Sequence, residues 1–218
     1  MVTEHEKARL IAEFERSFHT VQLMRVWVDD DIPAVNVKAH EIILRVKKRI
    51  PIQMGRVLGK FSCHSCELET LEHAPILVTD SFSCYDNLLE SLVGGPQSVG
   101  SASMGGGTYS CHGNFLKNFE GAPQHFSGYF VGTKQLGTGL QSVDGLPTQA
   151  RLVDITYQPD LPMLKLINQP RVTVRTAITG DVMYDLSDII NYAGEGKAGA
   201  LKAAVQMVKA GYKGNAKW

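Results

Sequence analysis

The sequence predicts an α/β solenoid, short parallel strands stacked coil on coil and closed by a helix at each end. Three observations predict it. Three stretches of the chain copy one another, opening at Phe61, Phe82 and Tyr109 (FSCHSCELETLEHAP, FSCYDNLLESLVGGP and YSCHGNFLKNFEGAP). Within each copy the apolar residues alternate as in a strand and then recur at wider spacing. Both ends of the chain carry apolar residues at helical spacing instead. A unit of this size buries its apolar side only by stacking on neighbours, so self-similarity decides the architecture before any local signal.

Counted from each opening aromatic, a Cys stands two residues on (Cys63, Cys84, Cys111) and a Cys or Asn five on (Cys66, Asn87, Asn114). Leu or Phe follows at seven (Leu68, Leu89, Leu116) and ten (Leu71, Leu92, Phe119), and Pro at fourteen (Pro75, Pro96, Pro123). This is the template L-x-L-x-x-N/C-x-L with an aromatic and a Cys in the first two Leu positions. The expected fold class is therefore a leucine-rich-repeat-like solenoid with parallel stacked short strands. Positions zero and two point the same way along a strand, so Phe61 and Cys63 face inward, and Ser62, Ser83 and Ser110 outward. In proteins of this template the Asn or Cys side chain bonds turn backbone from coil to coil. Gly and Pro at the end of the unit turn the chain toward the next strand.

Outside these units the pattern decays. Tyr129, Phe130 and Val131 restart a strand, and Leu140, Val143 and Pro147 recover the spacing after a Gly-rich insertion. Leu152, Val153 and Ile155 suggest another strand, Met163, Leu166 and Pro170 a shifted echo, and residues 172–174 a last one. Upstream, Val37, Ala39, Leu44 and Pro51 fit loosely, with Lys47 breaking position ten. Five to seven coils result. The segment GSASMGGG before Thr108 enters as a loop, which a solenoid tolerates. Ile11, Phe14, Phe18 and Val21 read as one face of an amphipathic helix. Val182, Leu186, Ile189 and Ile190 mark a segment after Gly180. A final helix from about Lys197 to Ala210 places Leu201, Ala204, Val205 and Val208 on one side and stops at Gly211. The expected division is an N-terminal helical cap over 1–36, a solenoid over 37–176 and a C-terminal helical cap over 177–218. Caps cover apolar faces and strand edges that an open solenoid would expose.

Composition agrees with one folded unit: 218 residues, 44% hydrophobic and 20% charged, with 21 Gly raised by the turns. Lys plus Arg equals Asp plus Glu, so no global charge argues for nucleic acid. Locally, five Lys and no acid run from Lys197 to the end, and Arg45, Lys47, Lys48 and Arg49 cluster; a solvated face is the ordinary reading of such runs. Neither a signal-peptide pattern nor an apolar run near membrane-spanning length is present, which gives a cytoplasmic expectation and no membrane partner.

Cys63-x-x-Cys66 with Cys84, Cys111 and His112 invites a zinc site. All four sulfurs occupy template positions, however, where they serve as small buried apolar residues. A disulfide between stacked strands is geometrically within reach but disfavoured in a reducing compartment. Ser103 lacks the Gly two residues before it that a nucleophile elbow requires. Its loop leads into a strand without the Gly-Lys-Ser/Thr ending of a phosphate loop. Asp29, Asp30 and Asp31 read as a solvated turn rather than a metal site. No catalytic residue, metal or cofactor is expected, and the protein reads as a non-enzyme.

The candidate binding residues are the outward strand row: His64, Tyr85 and His112 at position three, beside Ser62, Ser83 and Ser110. Either they form a recognition surface of the kind solenoids gather, or they merely suit an exposed strand. The phrases LEHAP, LVGGPQSVG and FEGAPQHFSG, each after an aromatic-x-Cys strand, resemble the short leucine-rich repeats of bacteriophage and some bacterial proteins. The ending KAGALKAAVQMVKAGYKGNAKW resembles the terminal segment of such phage proteins. The likeness covers Phe61 to Pro123 strongly and Val37 to Thr176 loosely. It implies a scaffold that binds a host or phage protein in the bacterial cytoplasm, and supplies no catalytic residues. The rival expectations are nucleic-acid or acidic-partner binding through the basic C-terminal helix, and an enzyme with a site in the terminal segments.

Overall fold

The computed structural model describes residues 1–100, 106–156, 160–164, 166, 172–175, 183–185, 196–211 and 213–217. Helix α1 (Glu4–Ser17) starts at Thr3, whose side chain accepts a hydrogen bond from the Glu6 amide at 3.2 Å, and Glu4 and Glu6 lie in its first turn, where the helix dipole favours acids. It ends where the β-forming run FHTVQLMRVWV begins. Phe18 and Val21 therefore belong to strand β1 (Phe18–Val28) and not to the helix, and the N-terminal cap region is only half helical. Strand β1 pairs antiparallel with β2 (Val35–Leu44).

From β2 onward the chain is a parallel-strand solenoid of about six turns. Strand β3 (Met54–Ser62) pairs with β2 and then feeds two columns. Its first half pairs with β4 (Leu77–Val78), followed by β6 (Ser98–Val99) and β8 (His125–Phe126). Its second half pairs with β5 (Phe82–Ser83), followed by β7 (Thr108–Ser110), β9 (Tyr129–Gly132), β10 (Leu152–Thr156) and β11 (Val172–Arg175). Each middle coil thus has two short strands at a corner, and its Leu-bearing flank is built of turns. The register Phe61↔Phe82↔Tyr109↔Phe130 is the one the repeats dictate. Val153 and Val172 continue it. Upstream, Ile42 pairs with Phe61, so Leu44 lies in the frame of Cys63 rather than of Leu68. Val37, Ala39 and Leu44 are buried all the same. Strand β11 closes the sheet against antiparallel β12 (Met183–Asp185), within the segment expected after Gly180. Val182, Leu186, Ile189, Ile190 and Pro170 lie outside the described residues, as does Ser103.

Inside, the opening aromatics form a spine. Phe14 stacks on Phe18 at 5.1 Å, Phe61 on Phe82 at 5.8 Å and Tyr109 on Phe130 at 5.4 Å, with Phe82 tilted on Tyr109 at 5.2 Å. Pairs of this kind contribute roughly 0.5–1.5 kcal/mol each beyond the area they bury. Beside the spine run a column of Cys63, Cys84 and Cys111 and a column of Leu68, Leu89 and Leu116, all fully buried. Leu140, Val143, Met163 and Leu166 are buried too, as the decayed repeats predict.

The C-terminal helix α2 (Gly196–Lys209) gives way to Gly211 in a left-handed conformation and a 3-10 turn at Lys213–Asn215. Asn215 bonds the Leu161 carbonyl at 2.9 Å, which docks this end on the last coils. Its buried face is Ala200, Ala203 and Met207. Of the residues expected together on one side, Leu201, Val205 and Val208 are exposed at 68%, 43% and 49%, while Ala204 packs against the core. The smaller residues let the helix approach more closely, and propensity alone does not choose between two apolar stripes.

Candidate functional site: the outer corner of the coils

At the end of each strand the chain turns through a left-handed residue at position four, Ser65, Asp86, Gly113 and Lys134 in successive coils. This turn folds the position-five side chain inward and leaves the position-three side chain outside. Asn87 then serves two coils at once. Its carbonyl oxygen accepts from the Cys66 and Leu68 amides at 2.9 and 3.0 Å, and its amide donates to the Cys63 and Cys84 carbonyls at 2.9 and 3.0 Å. Asn114 repeats the pattern, accepting from Leu89 and donating to Cys84 and Cys111. The next rung is Gln135, which donates to the Cys111 carbonyl and accepts from the Leu116 amide. Gln stands here where the repeat template carries Asn or Cys.

On the outside, His64, Tyr85 and His112 form a second ladder. The rings of His64 and Tyr85 lie 4.6 Å apart at 5°, and those of Tyr85 and His112 lie 4.5 Å apart at 7°. The three predicted side chains are thus brought together, and Tyr85 presents its edge rather than a face, because it has a ring against each of its sides. Burial lowers the His112 pKa below its ordinary value, against opposing pulls from Asp86 and Asp154, so its imidazole is neutral at neutral pH. Among the described residues its Nδ1 has no hydrogen-bond partner.

The serines behave differently from expectation. Ser62 and Ser110 are buried, at 6% and 9% exposure, and Ser83 is half-buried. Alternation turns them outward, but each small side chain lies within the sheet between strand neighbours, Ile43 and Ser83 beside Ser62 and Ser83 and Val131 beside Ser110. They form the bed of the ladder, not its rim. Beyond the turn, an apolar column at position six is the part of the surface the template left unread. Leu88 and Leu136 are exposed at 43% and 47%, and Phe115 between them is half-buried. The signal was present as the extra apolar residue after each rung amide, in NLL, NFL and QL.

All four Cys are free and buried. Burial pushes the Cys63, Cys84 and Cys111 thiols up, and Cys66 up as well, away from nucleophilic or metal-binding thiolates. Among the described residues no three His, Cys, Asp or Glu are grouped to hold a metal ion. The Asp29–Asp31 turn is largely solvent-exposed, as expected, and it also ties neighbouring elements together. Asp29 accepts from Trp27, Asn36 and Arg56, and Asp30 pairs with Lys7 at 2.5 Å, tying α1 to the β1–β2 turn. Among the described residues no helix is long and apolar enough to cross a membrane. Comparison with protein families, with curated proteins and with solved structures finds no match to this chain.

Proposed function

We propose that the protein is a recognition scaffold that binds another protein through the outer corner of its coils. The observation that carries this reading is the continuity of two columns, each across three coils: the stacked His64–Tyr85–His112 ladder, and the row of exposed Leu88 and Leu136 with half-buried Phe115 between them. A rigid aromatic ladder beside exposed aliphatic side chains loses little entropy on binding and offers apolar area with polar edges. Solenoids carry such surfaces on stacked, repeated positions. The resemblance of the repeats and of the basic ending to phage proteins favours a host or phage protein as the partner, met in the bacterial cytoplasm.

Capture from bacterial lysate, with and without nuclease, tests the class of partner. Replacing His64, Tyr85 and His112 together by Ala should then weaken binding by about 2 kcal/mol or more, the loss typical of a truncated anchor. Melting temperature serves as the control for folding. Neutralising Lys197, Lys202, Lys209, Lys213 and Lys217 should matter less. Loss of binding on tail neutralisation, with a steep salt dependence, would favour a nucleic-acid partner instead, and unchanged affinity in the ladder variant would remove this face from consideration.

A further inference from the structure

The zero net charge of the chain is the sum of opposed patches. From Cys63 to His125 there are seven acidic side chains and one basic one, Lys117; from Lys197 to the end there are five Lys and no acid. Each patch also exposes apolar side chains. On the coils, the proline-closed turns of three successive units enclose a groove of about 700 Å³, on a different part of each coil from the position-three ladder. Its floor is the small-residue column Ala74, Gly95 and Ala122, and Ile76 and Val93 stand in it exposed at 50% and 59%. Glu72 lines it, Glu120 adjoins it at Gly121, and no Lys or Arg is among its lining residues.

On α2, Leu201, Val205 and Val208 lie at i, i+4 and i+7, so they share one face, and exposed Lys197, Lys202 and Lys209 accompany them. Three residues so spaced span about 10.5 Å of helix. Three stacked coils span two inter-strand steps, about 9.6 Å, so the stripe and the groove match in length. An apolar hollow lined by Leu164, Ala200, Leu201 and Ala204 widens the helix surface and offers a seat for a projecting side chain.

We propose that the exposed face of α2 docks in the turn groove of a second copy of this chain. The helix is already held on its own last coils through Ala203, Met207 and Asn215, so its outer face is offered to a neighbour. The apolar stripe meets Ile76 and Val93, and the lysines meet the acidic flank. The two surfaces differ, so the contact is heterologous and leaves a helix and a groove open at the ends of each assembly. Charge complementarity steers it and makes it sensitive to salt.

Sedimentation velocity of the full chain at rising concentration tests this. The expected result is concentration-dependent growth beyond a dimer, weakened roughly tenfold or more by high salt or by either of two double variants. One variant is Leu201→Glu with Val205→Glu, which spoils the helix face; the other is Glu72→Lys with Val93→Lys, which spoils the groove. All four positions are exposed, and circular dichroism melting verifies that each variant is folded. Should the helix variant unfold, Lys202→Glu with Lys209→Glu replaces it. The deciding experiment is the equimolar mixture, in which the intact helix of the groove variant meets the intact groove of the helix variant. Dimers and nothing larger should form. A wild-type chain that stays monomeric at every concentration overturns the proposal, and so does a mixture that stays monomeric. Binding of the monomeric chain to anionic vesicles or nucleic acid would reassign the helix face to those surfaces. The His64, Tyr85 and His112 to Ala variant should still self-associate, which keeps this contact separate from the proposed recognition face.

Discussion

Tyr109 stands in the aromatic spine where the coils before and after carry Phe82 and Phe130, and its extra hydroxyl is fully buried without a hydrogen bond of ordinary geometry among the described residues. The Cys84 thiol faces it, but sulfur is a weak partner. Burial, joined by the neighbouring thiols, pushes its phenol well above the ordinary tyrosine range. A buried polar group left unsatisfied costs about 1–3 kcal/mol, and the thiol contact places this one at the lower end. Tyr109→Phe keeps the ring and its stacking, so it should stabilise the protein by about 1 kcal/mol, or roughly 2–4 °C in a chain of this size. The hydroxyl also explains a break in the repeats. Position thirteen is Ala74, Gly95 and Ala122, and the glycine alone precedes the coil that opens with Tyr. A Cβ on Gly95 would lie 3.2 Å from the Tyr109 hydroxyl, 3.0 Å from Leu71 Cδ1 and 2.9 Å from the Leu92 carbonyl. The last contact belongs to the turn itself, since Ala74 and Ala122 make the same amide-to-carbonyl bond three residues back. Gly95→Ala should therefore cost about 1 kcal/mol through overpacking when Tyr109 is present. In the Tyr109→Phe background it should become neutral or gain roughly 0.4–1 kcal/mol from the reduced freedom of the unfolded chain. Urea denaturation of the four proteins in the cycle measures the coupling. Additive single effects, or a Tyr109→Phe variant less stable than wild type, would refute the account.

Four further outcomes follow from the same structure. Leu89→Ala in the central coil should cost roughly 2–5 kcal/mol through cavity creation, read by thermal melting; a neutral result would mean that Leu89 is not enclosed. Asn87→Ala removes the acceptor of the Cys66 and Leu68 amides and the donor to the Cys63 carbonyl, while the Cys84 carbonyl keeps Asn114, so a loss of about 3 kcal/mol is expected, with the amide of Leu68 losing protection from hydrogen exchange. Because the folded protein depresses the His112 pKa, the unfolded chain binds the proton first as pH falls. The stability this contributes is present above about pH 6.5 and is lost as pH drops toward the folded value; His112→Gln should flatten that part of the profile, and NMR should show His112 titrating below the ordinary histidine range. Under native conditions a thiol reagent should react at Cys66 ahead of Cys63, Cys84 and Cys111, whose thiols are fully enclosed, and mass mapping of the labelled protein decides the order.

The middle of the fold was legible because each coil repeats the same demand, an aromatic and a Cys inward and an amide at the turn. The ends were not, because a helix and a strand share the residues of one apolar run. Phe18 and Val21 fit helical spacing, yet the β-branched and aromatic residues that follow carry β1 straight on from the helix. In α2 two apolar stripes competed, and the one made of small residues was buried. At the outer corner of the coils, the ladder of His64, Tyr85 and His112 followed from position alone, since outward residues of stacked strands must align. That its rings would stack face to face, and that Ser62 and Ser110 would be covered, depends on side-chain size and rotamer, which a repeat pattern does not encode. Gln135 shows the opposite case, a side chain one methylene longer than Asn that still reaches the same carbonyl.

The antiparallel pairs at the two ends of the sheet bear on how such a protein changes length over evolutionary time. Between them, strands β2, β3, β5, β7, β9, β10 and β11 all run one way, and every coil meets its neighbour through like positions. A duplicated or deleted coil in this interior would find matching contacts above and below. At either end the direction reverses, with β1 against β2 and β12 against β11. A coil appended there would meet a strand running the wrong way, with no amide rung to accept. Lengthening is therefore a matter of insertion rather than extension, so new coils should arise from internal copies. Longer and shorter descendants should keep the same two termini and differ in the count of units between them.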